Sequence, residues 1–329
     1  MSMSFHNYWY LICLEEELQK KNPLPRRING RDYVVFRTSA GKVSVLEDRC
    51  CHRHVALSLG AVCGDRIRCA YHGWEFSGEG SCVAIPSLTD DAQIPATARV
   101  KSFPVQVVHR MVWFFTGAAE LAGQTPLPPI PEASHLPRTF NYHEVKADLK
   151  LVAESLIDPY HIDYVHKDSI KTFMGNINRE SVTFAIHQNP VSMTGSYYRK
   201  NRATFFERFY FGSEKEIKTE FGFWFPHTSK LKIFFPQKQR TLIIYEHFYP
   251  IEDNRICMLQ ITLWENIFSG MDTFARLFMD KISNRIVEED IAFLESNLHI
   301  QQRNVRPDLI LRNDAVSIAF AKLWREQTA

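Results

Sequence analysis

Two short stretches of this 329-residue chain carry the side chains best suited to chemistry. Residues 50–54 read CCHRH and residues 69–74 read CAYHGW, so Cys50-x-His52 and Cys69-x2-His72 each offer one thiolate and one imidazole. Further on, AESLIDPYHIDYVHK sets out Glu154, Asp158, His161 and His166 in the spacing E-x3-D-x2-H-x4-H. Thiolates and imidazoles at such short spacings read as metal ligands more readily than as residues scattered through a core.

For the first cluster, a structural zinc site competes with a two-iron, two-sulfur cluster. Zinc fingers pair cysteine with cysteine and histidine with histidine. Here each loop supplies a mixed pair, which suits a cluster whose two irons take different ligands, two cysteines on one and two histidines on the other. For the second cluster, residues five apart on a straight helix point about 140° from each other, so His161 and His166 could not share a metal from one regular helix. Pro159 supplies the irregularity: one helix is expected to end near Asp158 and a new turn to begin at Pro159, with Asp158 as its cap. Two histidines and one carboxylate form the facial triad of a mononuclear Fe(II) site, with positions left open for O2 and substrate. A cluster that carries one electron needs such a destination. Asp158 is too close to His161 in sequence to be a comfortable third ligand, and VEEDIAFLESNLHIQQ offers Glu288, Glu289 and Asp290 instead. Buried, hydrogen-bonded histidines are the bland alternative.

The elements that must position these groups fall into two parts. Residues 1–120 are rich in short β-branched runs such as DYVVFRT and KVSVLED with Gly turns between them, and 105–117 suggests a hairpin bent near His109–Arg110. These features indicate a small all-β domain. A Pro-rich stretch over 118–137 reads as a linker or strap. Residues 121–329 then give long aromatic strands (ATFFERFYFG, EIKTEFGFWFPHTSKLKIFF, TLIIYEHFYP) followed by a helical region from about 266 to 326. The fold class expected is α+β: an all-β cluster domain, then a catalytic domain with an antiparallel sheet covered by helices.

Composition sets outer limits. A net charge of +2 with interspersed signs gives no basic stripe for nucleic acid. No apolar run reaches about 18 residues, so no membrane span is expected. The N-terminus lacks the pattern of a secretory signal. Four of seven cysteines lie between Cys50 and Cys69, which in a cytoplasmic chain favours metal over disulfides. Arg53, Arg66 and Arg68 near the loops are candidates for meeting an acidic partner, or are ordinary solvated arginines.

CCHRHVALSLG and CAYHGWEF resemble the Rieske signature of ring-hydroxylating and related oxygenases, usually written C-P-H-R-G-x-x-L-S and C-P-Y-H-G-W. Cys51 and Ala70 stand where Pro is common and His54 where Gly is common; the four ligand positions are intact. The resemblance extends from NYWYLICLEEEL to EDIAFLES and is similar to the oxygenase α subunit of the monooxygenase and demethylase branch. It implies a [2Fe-2S] cluster on Cys50, His52, Cys69 and His72, and Fe(II) on His161, His166 and Asp290, with Glu288 and Glu289 left as a solvated helix face. It implies O2 as co-substrate, NAD(P)H electrons from a separate reductase or ferredoxin, and a head-to-tail homotrimer in which Asp158 links His72 of one subunit to His161 of the next. Ser155 stands where an amide is common, and Glu154 reads as a supporting residue. The activity implied is hydroxylation or oxidative dealkylation of a small, largely apolar molecule. Aromatics over 205–235 would line its pocket in part, with His227, Gln237 and Tyr245 as polar candidates. The alternatives are a Rieske electron carrier or sensor, and a zinc-stabilised binding module.

Overall fold

The structure, a computed structural model, describes residues 5–18, 22–89, 91–128, 135–167, 169, 184–200, 216–265, 272–303, 309–311 and 314–329. The expected strand over ATFFERFYFG, with Phe205, Phe206 and Phe209, lies outside the described residues, as does part of the Pro-rich stretch. The chain divides into two compact units, Ser4–Ser134 and His135–Ala329.

The β-branched runs of the first unit form β1 (Trp9–Leu14), β2 (Leu24–Ile28), β3 (Arg31–Arg37), β4 (Val43–Glu47), β5 (Ala61–Cys63), β6 (Arg66–Arg68), β7 (Glu75–Ser77), β8 (Cys82–Ala84), β9 (Ser102–Phe103), β10 (Val105–Val108) and β11 (Met111–Phe115). They assemble as three antiparallel sheets, ordered β1-β11-β10, β2-β3-β4-β9 and β5-β6-β7-β8. The β10–β11 hairpin turns through His109 and Arg110, both at positive φ, as a two-residue turn matched to strand twist requires. Val34, Phe36, Leu46, Leu57, Ile67 and Phe76 form a core that also encloses Cys50 and Cys69. The loops that carry chemistry are thus rooted in packed side chains.

The second unit is a seven-stranded antiparallel sheet with helices. Its elements are β12 (Arg138–Val145), α1 (Leu149–Ile157), α2 (Ile162–Val165), β13 (Ala185–Asn189), β14 (Ser192–Lys200), β15 (Glu216–Trp224), β16 (Thr228–Phe235), β17 (Arg240–Glu252), β18 (Arg255–Glu265), α3 (Asp272–Arg303) and α4 (Ala315–Thr328). Strand order is β12-β18-β17-β16-β15-β14-β13. Helix α3 buries Ala275, Met279, Ser283, Val287, Asp290 and Leu294, a stripe at three- and four-residue spacing that faces the sheet. Burial of Met279, Val287 and Leu294 stabilises this seating by about 1.5–3 kcal/mol each.

Helix α3 is pinned along β12 at two points. Thr139 Oγ1 donates to Asp280 Oδ1 (3.0 Å), and the Lys146 N–H donates to Glu295 Oε1 (3.2 Å). Seven strand residues span about 23 Å and fifteen helical residues about 22 Å, so the two run side by side in register. No helix among the described residues is long and apolar enough to cross a membrane.

Candidate metal centres

The two Cys/His loops of the first unit are built alike. In the first, the Cys50 N–H donates to Val55 O (2.8 Å) and the His54 N–H to Cys50 O (2.9 Å). In the second, the Cys69 N–H donates to Trp74 O (2.9 Å) and the Gly73 N–H to Cys69 O (3.1 Å). Each loop therefore closes five residues after its cysteine, and each needs a left-handed residue four after it: His54 at φ 60° and Gly73 at φ 73°. A Cβ on Gly73 would also approach Pro86 Cγ to 3.0 Å. His54 therefore occupies a backbone position that favours glycine, which explains the family's usual residue there. It is exposed, as expected for a residue that is not a ligand.

Asp48 clasps the first loop by accepting from the Ser58 N–H (2.7 Å) and the Ser58 hydroxyl. β6 and β7 flank the second loop directly. Cys50 and Cys69 are each 2% exposed, and burial, with the Cys69 thiol alongside, pushes Cys50 up to about 11. The His52 and His72 rings lie 4.6 Å apart, and His52 stacks on Trp74 at 4.5 Å. His52 Nδ1 is buried with no hydrogen-bond partner. Two buried thiols beside two converging imidazoles, one with an unpartnered ring nitrogen, fit the donor set of a [2Fe-2S] cluster with mixed ligands. Cys51 packs against the same core, where it serves as a small apolar filler, and burial raises its thiol. Arg66 and Arg68 both pair with Glu75, so part of their charge is neutralised locally.

In the second unit, α1 starts on Asp148, whose side chain accepts from the Lys150 N–H (2.9 Å), and ends at Asp158. Pro159 prevents continuation. The Asp158 carboxylate then accepts from the N–H groups of Tyr160 (3.0 Å) and His161 (3.1 Å), capping the turn that leads into α2. This break brings the two rings together: His161 and His166 have centroids 5.3 Å apart. Asp290 completes the group, with Oδ1 at 3.2 Å from His166 Nε2 and 3.6 Å from His161 Nε2. One ligand atom from each of the three lies within 4.8 Å of the others. This is a donor set that a single Fe(II) would fit. Burial works against the ionised form of Asp158, but the His161 ring and the two backbone N–H donors outweigh it and hold its carboxyl below the usual range.

Glu289 is not the solvated residue that its place in the acidic run suggested. Its Oε2 meets His166 Nδ1 at 2.9 Å and accepts from the Ser169 hydroxyl (2.7 Å), while Arg285 Nε reaches Oε1 (3.3 Å). Burial opposes ionisation of Glu289, and these three partners overcome it. Burial likewise disfavours a charged His166, but Asp290 and Glu289 raise its pKa. Glu288 is exposed.

Arg199 on β14 is another residue that pattern alone did not reveal. It is fully buried, its Nη1 lies 2.6 Å from Asp163 Oδ1, and its Nη2 donates to Pro159 O. One guanidinium thus grips both ends of the turn that holds His161. Of the polar candidates on the sheet, Gln237 is exposed, and Tyr245 lies under Lys230 on the face opposite Glu246. His227 is buried, which pushes it down to about 3 and keeps it neutral.

A sequence model of the "Rieske [2Fe-2S] domain" matches residues 8–104, and one of the "Vanillate O-demethylase oxygenase C-terminal domain" matches residues 145–327. The chain is 35% identical over 178 residues to 4beta-methylsterol monooxygenase of Methylococcus capsulatus, covering 53% of this chain and 48% of that protein. It is 35% identical over 168 residues to the oxygenase component of dicamba O-demethylase of Stenotrophomonas maltophilia, covering 50% and 49%. The match thus spans about half the length of these curated relatives. Among solved structures, dicamba monooxygenase bound to dicamba shares the fold with a TM-score of 0.82 at 20% identity, covering 99% of this chain and 98% of that one. Pseudomonas putida CBB5 NdmA with caffeine does so with a TM-score of 0.76 at 19% identity, covering 97% and 90%. With both domain models matched in order along one sequence, the chain belongs to the Rieske non-heme iron oxygenase family.

Proposed function

We propose that the chain is the oxygenase component of a multi-component system. It takes NAD(P)H electrons from a separate reductase or ferredoxin and uses O2 to hydroxylate or oxidatively dealkylate a small, largely apolar molecule. One observation carries this reading: the paired Cys/His loops and the convergent His161, His166 and Asp290 occur in a single chain. An electron carrier or sensor would need the loops but not the triad. Relatives named as a methylsterol monooxygenase and a dicamba O-demethylase support monooxygenation over dihydroxylation.

In this reading Cys50 and Cys69 hold one iron of the cluster, and His52 and His72 the other. His161, His166 and Asp290 hold the mononuclear iron. When bound, the cluster supplies electrons singly and the mononuclear iron supplies the site of O2 reduction. The residues of the chain position and insulate. Glu289 fixes the His166 ring through Nδ1, and Arg199 fixes the turn below His161. We assign Asp158 the bridge between His161 and His72 of a neighbouring subunit in a homotrimer; its ionised carboxylate, 3.5 Å from His161 Nδ1, supports that role. Arg53, Arg66 and Arg68 are assigned to ferredoxin docking, and the assembly to the cytoplasm.

The test is O2 uptake with NADH, a ferredoxin and its reductase across a panel of aromatic and terpenoid compounds. Stimulated uptake, with product bearing a single new oxygen or lacking an alkyl group, is expected, and His161→Ala or Asp290→Ala should abolish it. A protein that accepts electrons yet consumes no O2 with any compound would favour the electron carrier.

A further inference from the structure

The inner face of the sheet between the two anchors of the triad contains a buried carboxylate that the proposed reaction has not yet used. The turn bearing His161 is gripped from β14 by Arg199, and the helix bearing Asp290 is pinned along β12 and to β18 through Thr262–Ser283. The strands between, β15 to β17, therefore form the floor beneath the triad. Register places Ser229, Glu246, Gln260 and Asn141 opposite one another in a row across β16, β17, β18 and β12. Gln260 shares a face with Thr262, two residues on, so the whole row faces α3. Glu246 interacts electrostatically with both Asp290 and His161.

The row is short of positive partners. Ser229 Oγ donates to Glu246 Oε2 and Gln260 Nε2 to Oε1, each at 3.1 Å, and both are neutral groups. Among the described residues no Lys or Arg contacts this carboxylate. Gln260, 2% exposed, keeps its Oε1 buried without a donor. Asn141 Nδ2 is an unmatched donor one strand further, but if the two amides met, Glu246 would still lack a cation. Burial pushes Glu246 up to about 7. A buried carboxylate held only by two neutral donors is costly unless a cation or a further donor meets it.

We propose that Glu246 anchors the substrate of the oxygenase reaction inferred above, by accepting from an amine, ring N–H or hydroxyl on an otherwise apolar molecule. The inference rests on that functional reading and narrows it: anionic arenes are disfavoured, since their charge would face Glu246. Ser229 and Gln260 then act as positioning residues that hold the carboxylate toward the triad.

The test uses iron-loaded protein whose Rieske EPR signal has been verified, so failure of the oxygenase reading is seen separately. Calorimetric binding is measured for four matched probes: 4-methylbenzylamine, 4-methylbenzyl alcohol, 4-methylbenzoate and p-xylene. The amine is expected to bind best and the benzoate worst. Glu246→Gln, which keeps the shape and removes the charge, should reduce the preference for amine over xylene by about ten- to hundredfold, the size of a charge-assisted hydrogen bond. Iron content and EPR should be unchanged in the variant. Equal binding of all probes, binding by none, a preference for benzoate, or an amine preference that survives Glu246→Gln would each overturn the proposal.

Discussion

Glu289 and Asp290 are neighbours in sequence but meet opposite sides of the same imidazole. Asp290 approaches His166 Nε2, while Glu289 takes Nδ1 and so sets the ring's orientation and tautomer. Carboxylate partners of ligating histidines commonly contribute ten- to a hundredfold to metal affinity. Glu289→Gln is therefore expected to weaken Fe(II) binding by about 10- to 100-fold, measured by chelator competition, while the Rieske EPR signal stays intact. Equal affinity in the variant would show that Ser169 and packing suffice to hold the ring. At this scale the sequence was informative where spacing is local. Cys50, His52, Cys69, His72, His161 and His166 could be singled out as candidate ligands because each pair sits within one loop or turn, and the fold brings the rings of each histidine pair together. Glu289 was not, because its role depends on which side of α3 faces His166, and EED offers three adjacent carboxylates with nothing local to rank them.

The break at Asp158–Pro159 was also legible, since Pro restricts its predecessor and cannot continue a helix. What holds the broken segment against the sheet was not. Arg199 lies on a strand forty residues away from Pro159, and only the fold brings its fork onto Asp163 and the Pro159 carbonyl. The two contacts use separate nitrogens of the planar guanidinium, a fork geometry that an ammonium does not reproduce. Arg199→Lys is expected to retain the ion pair and the fold but lose the clamp. Fe(II) affinity should then fall by about tenfold or more, as for other residues that orient ligands, with a Co(II)-substituted spectrum shifted from that of the parent. An unchanged spectrum and affinity would reduce Arg199 to a structural ion pair. Glu246 was hidden for a related reason. TLIIYEHFYP reads as a strand, but the sequence does not state which of its faces meets the triad.

For the whole molecule, the division into a small all-β unit and a sheet-and-helix unit follows from the shift in pattern along the chain, from short β-branched runs to long aromatic strands and then helical spacing. The two units supply chemically different sites, one with sulfur and nitrogen donors, the other with nitrogen and oxygen. That difference in donor type suits a redox cluster at the first and, in the proposed reading, an O2-reactive iron at the second. Both metals must reside in one chain for the proposed reaction to proceed. The most direct measurement is iron and acid-labile sulfide analysis of anaerobically purified protein, joined to EPR after dithionite reduction and repeated on Asp290→Ala. About three irons and two sulfides per chain with a Rieske-type signal are predicted, falling to about two irons with the same signal in the variant. A colourless protein that takes up zinc and gives no such signal after anaerobic reconstitution would contradict the account.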